Sequence, residues 1–173
     1  MDANALYAEA KKLYDAGQLN DAVRAFEQAH AAYVEQGDEA NVATVANDLG
    51  VVYYLAGRRE DAQTILQDAL AAFEKLENVL GQAKALGNLA RLMDRMGEKA
   101  GAANCYQRAA ELFHQVGEKG FEADTYRALS QMQLQRGRWL ESLATYDRAL
   151  AAKGGSGALR GFLKIPLRLI GMR

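Results

Sequence analysis

Two histidines, His30 and His114, and one cysteine, Cys105, are the side chains best suited to nucleophilic or metal chemistry in this 173-residue chain. They are too few for a zinc site of four histidine and cysteine ligands. A single cysteine cannot close an intramolecular disulfide, so the fold makes no use of an oxidising compartment. No glycine-rich phosphate loop follows a strand, because no strand pattern is present. The expectation is a protein that is not an enzyme and that uses neither metal nor cofactor. The other chemically suggestive group is cationic. Arg160, Lys164 and Arg168 recur at i, i+4 and i+8 within residues 158–173, a segment with four cations and no carboxylate. Such a stripe suits anionic lipid headgroups or an acidic protein surface.

The rest of the chain must position these groups, and its composition is helical. Half the residues are hydrophobic, 8% are aromatic, and there is one proline, Pro166. Many alanines and leucines favour helix over strand. A net charge of −1 argues against a dedicated nucleic-acid binder, which would show a basic excess. The charge is unevenly spread, since residues 1–157 hold seventeen cations against all twenty-two acids. The opening "MDANALYAEAKKLYDAG" has no basic region followed by an apolar one, so no signal peptide is expected. No apolar run approaches the roughly 18 residues of a spanning helix. A cytoplasmic body is expected, with peripheral attachment at the inner membrane face as the alternative.

A period of forty organises the body. Gly17, Gly57, Gly97 and Gly137 are forty apart; Gly37, Gly117 and Gly157 fall twenty further on, with Glu77 standing in once. Ala22, Ala62, Ala102 and Ser142 follow each first glycine by five, and Phe26, Leu66, Tyr106 and Tyr146 by nine. Seven residues before it lie the small Ala10, Gly50, Ala90 and Ser130. Helical spacing runs up to each glycine and resumes after it, and glycine takes the left-handed C-cap conformation without a Cβ clash. Each unit therefore reads as two antiparallel helices, packed closely where the side chains are small. In this register His30 shares its place with Leu70, Ala110 and Leu150, and Cys105 with Ala25, Ile65 and Thr145. Both read as packing residues. Trp139, in the place of Leu19, Arg59 and Lys99, is likewise explained by packing.

The phrases "NDLGVVYYLAGRREDAQTILQDAL" and "GNLARLMDRMGEKAGAANCYQRAA" resemble the tetratricopeptide repeat. Leu49, Gly50, Tyr53, Ala62 and Leu66 carry the likeness in the first phrase, and Leu89, Ala90, Ala102 and Tyr106 in the second. The unit is forty residues rather than the usual 34, the closing proline is absent, and Glu9 stands where leucine is usual. The lengthened form is similar to the extended repeats of cell-polarity adaptors and some bacterial regulators. The resemblance implies an all-α fold, a right-handed α-α superhelix of four helix-turn-helix repeats at about 3–37, 40–77, 80–117 and 120–153. Residues 1–153 make the repeat domain, 154–157 a Gly/Ser joint, and 158–173 a basic amphipathic tail.

The resemblance also implies a role, a non-catalytic adaptor or scaffold that holds a peptide or protein segment against its first helices. Transferred position by position, the groove would present Tyr7, Lys11 and Tyr14 from repeat one, and Asn47, Asp48, Val51 and Tyr54 from repeat two. Repeat three would add Lys84, Asn88, Arg91 and Arg95, and repeat four Arg127, Gln131 and Leu134. The early half is aromatic and mixed in charge, the later half cationic with amides, which suits a carboxylate-bearing ligand. The family's chaperone-tail clamp is not expected, because Tyr7, Lys11 and Asp48 fall where some of its residues should be.

Wound as a helix, the tail places Arg160, Lys164 and Arg168 on a narrow arc, with Phe162, Leu163, Leu167 and Ile170 among the apolar residues over the rest. Four roles fit this pattern. The tail could cap the array, lie in an anionic membrane interface, dock on another protein or a second copy of the chain, or be a peptide joined through "GGSG".

Overall fold

The computed structural model describes residues 2–155. They form eight helices: α1 (Ala3–Asp15), α2 (Leu19–Gln36), α3 (Glu39–Leu55), α4 (Arg59–Lys75), α5 (Val79–Met96), α6 (Lys99–Gln115), α7 (Lys119–Gln135) and α8 (Trp139–Ala152). No strand occurs among the described residues. The chain divides into two compact units, Met1–Cys105 and Tyr106–Arg173, with the division inside α6.

The forty-residue period is written in the turns. Gly17, Gly37, Gly57, Gly97, Gly117 and Gly137 all have φ between 70° and 89°, the left-handed region that a side chain disfavours. At α2 the cap closes with Gly37 N–H donating to the Val34 carbonyl and Asp38 N–H to that of Tyr33. Glu77, the one substitute in the series, is also the one non-glycine residue with positive φ among the described residues, at 53°. Two of the next helices start on side-chain caps. Asp38 accepts the Asn41 amide at 3.1 Å and Asn78 accepts the Gly81 amide at 2.9 Å. The Asn41 side chain and amide hold the Asp38 carboxyl below its ordinary range.

In the first unit α1 pairs with α2 and α3 with α4, while α3 also packs on α2 and α5 on both α3 and α4. Phe26, Tyr33, Val45, Val52 and Leu66 are enclosed in its largest apolar cluster. Gly50 permits a close approach, because a Cβ there would lie 2.5 Å from Leu66 Cγ. In the second unit α7 pairs with α8. Here Ser130 holds the place of Gly50, and its hydroxyl meets the Ser142 carbonyl at 2.8 Å and the Ser142 hydroxyl at 2.9 Å. Helix α8 has 14 residues, against 18 in α2 and 17 in α4 and α6. It closes early on Gly154, whose φ is 78°. Gly157, expected to keep the period, lies outside the described residues, as does the whole of the tail.

Trp139 corrects the sequence reading. Packing does not absorb it, for it is 62% exposed at the start of α8.

Candidate functional site

The first unit brings eleven of the fourteen groove positions onto three first helices, α1, α3 and α5. A line of hydrogen bonds ties these helices together. Tyr7 Oη donates to Asp48 Oδ2 at 2.6 Å, Asn47 Nδ2 donates to Asp48 Oδ1 at 3.3 Å, and Asn88 Nδ2 donates to Asn47 Oδ1 at 3.0 Å. Each bonded pair across helices is one residue more than a period apart: Tyr7 and Asp48 differ by 41, as do Asn47 and Asn88. Burial, then the bond to Asp48, pushes the Tyr7 phenol well above its ordinary value, so it stays protonated as a donor. Tyr7 is further fixed by edge contacts to Phe26 and Tyr33, at 6.0 and 6.5 Å between ring centroids.

Four residues expected to face a ligand are thus engaged with one another. Asn47 is buried, and Tyr7, Asp48 and Asn88 are half-buried. What the line leaves at the surface is different. Lys11 lies 4.7 Å from the Tyr7 ring centroid and, with Tyr14, Asp15, Phe26, Asp48, Val51 and Val52, surrounds a pocket of about 370 Å³. Tyr54 is half-buried on α3, and Lys84, Arg91 and Arg95 are exposed on α5. The remaining three positions belong to the second unit. Arg127, Gln131 and Leu134 are exposed on α7, and Arg127 donates to Asp124 at 2.7 Å.

A second polar site went unnoticed in the sequence. His114, Lys119, Glu122, Tyr126 and Arg148 line a cavity of about 480 Å³ in the second unit. The Glu122 side chain is 10% exposed, and His114 Nδ1 lies 3.2 Å from both its oxygens. Arg148 stands 5.9 Å from the Tyr126 ring, and burial pushes that phenol up. The signal was in the register. Two periods earlier the places of His114 and Glu122 belong to Val34 and Val42, so a histidine and a carboxylate replace two valines.

The other candidates for chemistry are dispersed. His30 is half-buried on α2, where desolvation holds its imidazole below the ordinary value against the opposing pull of Asp68. Cys105 is half-buried with Sγ 3.9 Å from Met93 Sδ. Among the described residues no group of three His, Cys, Asp or Glu side chains could hold a metal, and no helix is long and apolar enough to cross a membrane. Arg160, Phe162, Leu163, Lys164, Leu167, Arg168 and Ile170 lie outside the described residues.

Paired helices closing on left-handed caps at a fixed period, with first helices bonded side by side, define a helical-hairpin repeat protein. The tetratricopeptide repeat model matches residues 2–75 and 42–115, and the chain belongs to that family. Its fold is similar to the crystal structure of BtubC (BKLC) from P. vanneervenii, with a TM-score of 0.80 at 22% identity over 92% of this chain. It spans 65% of the BtubC chain. It is also similar to the crystal structure of MamA, with a TM-score of 0.66 at 21% identity, covering 88% of this chain and 79% of that one. These likenesses show the fold, an all-α array of helix pairs. No curated protein sequence matches the chain.

Proposed function

We propose that the chain is a non-catalytic interaction module that holds an acidic, extended peptide or protein segment on the first-helix face of its first unit. Tetratricopeptide repeats generally mediate protein–protein interaction, and this reading makes that role specific. The observation that carries it is the division of labour along α1, α3 and α5. Tyr7, Asp48, Asn47 and Asn88 bond to one another and fix the face, while Lys84, Arg91 and Arg95 stay exposed along α5. Arginine offers bidentate, charge-assisted hydrogen bonds to carboxylates. The pocket between α1 and α3, walled by Tyr14, Phe26 and Val52 and edged by Lys11, suits an apolar or aromatic ligand side chain a few residues from the acidic ones.

Selection of displayed random peptides on the full chain tests this reading. The selected peptides should be rich in Asp and Glu, and Arg91→Glu with Arg95→Glu should weaken them by about tenfold or more, with the loss shrinking as salt rises. Affinities unchanged by that double substitution would overturn the proposal.

A further inference from the structure

Changes at several places of the register converge on one cavity of the second unit. In the first unit, Val34 and Val42 line an apolar recess of about 400 Å³ whose mouth is bridged by Lys75 and Glu39 at 2.9 Å. Two periods later His114 and Glu122 stand for the valines, Lys119 for Glu39 and Gly155 for Lys75, so the bridge is gone. Arg148 and Tyr126 stand for Asp68 and Ala46. The result is a cavity of about 480 Å³ between the end of α6, the start of α7 and the end of α8. Small-molecule sites span roughly 300–1,000 Å³.

The charges around this cavity are incompletely matched. The Glu122 side chain is 10% exposed, and His114 Nδ1, 3.2 Å from both its oxygens, is the one side-chain donor it meets among the described residues. A carboxylate offers about four acceptor sites, and a buried one is stable only when paired. Lys119 and Arg148 are exposed, and neither has an ion-pair partner among the described residues. Arg148 instead stands 5.9 Å from the Tyr126 ring. A negative group therefore lies within, and two positive groups lie at the rim. A simple amine would meet two like charges on entering, and a simple acid would meet Glu122 inside. A molecule that carries both an ammonium and a carboxylate matches all three groups. Ala151, Ala152 and Gly154 are small, and with the Tyr126 ring they leave apolar room beside the charges.

We propose that this cavity binds a free α-amino acid, with its ammonium on the Glu122 carboxylate and its own carboxylate on Lys119 and Arg148. An ammonium brings three donors to the acceptor sites that His114 leaves open, and arginine suits a carboxylate by its paired N–H groups. The recess of the first unit lacks this capacity, because Lys75 and Glu39 neutralise each other over an apolar floor. The site uses no residue of the α1, α3 and α5 face, so it stands or falls independently of the peptide held there.

Calorimetric titration of the full chain with each standard amino acid, to about 10 mM, tests the proposal. At least one should bind with a Kd of about 1 mM or tighter, and its amine and acid analogues, each lacking one charge, about tenfold or more weakly. Glu122→Gln keeps the shape and loses the charge, and should weaken the amino acid by about tenfold or more. Lys119→Ala with Arg148→Ala should do the same. Circular dichroism reports whether each variant folds; should Glu122→Gln unfold, the two exposed substitutions decide. Absence of binding by every amino acid would overturn the proposal. So would an acid analogue that binds as tightly as its amino acid, which assigns the cavity to simple anions. Affinity that survives the charge substitutions places the amino acid elsewhere on the chain and overturns it too.

Discussion

The α3–α4 pair and the α7–α8 pair solve the same packing problem differently. Both need the small residue seven positions before the turn to meet the second helix closely. In the first unit that residue is Gly50, and Leu66 fills the vacated space so fully that a Cβ would lie 2.5 Å from its Cγ. In the second unit it is Ser130, held by Ser142, while Tyr146 in the leucine's register stays 42% exposed. The first solution relies on apolar burial and shape, the second on hydrogen bonds between small polar groups. A shape-based contact concentrates its energy in one plug, whereas a bonded contact spreads it thinly.

The most damaging substitution should therefore strike the plug. Leu66→Ala removes a fully buried side chain and is expected to cost about 2–5 kcal/mol in urea unfolding. A loss below about 1 kcal/mol would break the comparison, showing that the seam collapses around the deletion. Next in size is an exchange of solutions. Gly50→Ser imports the second unit's residue where Leu66 leaves no room, at an expected cost of about 1–3 kcal/mol. Adding Ala62→Ser, to recreate the serine pair, should not restore stability, because the leucine remains.

The reverse experiment is gentler. Ser130→Ala removes the bond to Ser142 and should cost about 1 kcal/mol. A parallel contrast separates two equivalent cavities. In the first unit Val34 and Val42 line one, bridged at the surface by Lys75 and Glu39 at 2.9 Å. In the second, His114 and buried Glu122 take the valines' places. The contact joins an exposed imidazole, 77% open to solvent, to a buried carboxylate, and removing the imidazole leaves that carboxylate without this hydrogen-bond partner. His114→Ala alone should therefore destabilise the chain by about 1 kcal/mol. The paired change to His114→Val and Glu122→Val should be neutral or stabilising, as measured by the same unfolding curves. A paired variant weaker than the single one would show that the carboxylate does more than fill the valine's place.

The reach of the sequence follows the physics of each feature. Periodic features were readable because they repeat. The turn glycines, their one replacement at Glu77 and the helix pairs all follow from a register kept four times over. The groove positions on α1, α3 and α5 could be named, but not their engagement. Tyr7, Asp48, Asn47 and Asn88 bond to each other because residues a period and one position apart lie side by side, a relation visible only when repeats are compared across rather than along. The His114–Glu122 pair was overlooked for the same reason. Trp139 was misjudged because its register counterparts are a leucine and two cations, and nothing local told whether a neighbour would cover the indole. The division inside α6 has no sequence mark, for the helix runs unbroken through it.

The smallest expected effect is a slope with pH. His30 occupies a place taken by leucine or alanine in the other three repeats, and burial among its neighbours holds its folded pKa below the ordinary value. The unfolded chain then binds the proton more readily. Stability contributed by the neutral ring is present above the unfolded value of about 6.5 and falls as pH drops through it, levelling off below the lowered folded value. Wild-type unfolding midpoints measured between about pH 7.5 and about pH 5 should therefore decline more than those of His30→Leu, which carries the residue found at Leu70 and Leu150. Parallel midpoints would mean that the imidazole reaches water on protonation, and that at this register the first unit tolerates a charge as readily as an apolar side chain.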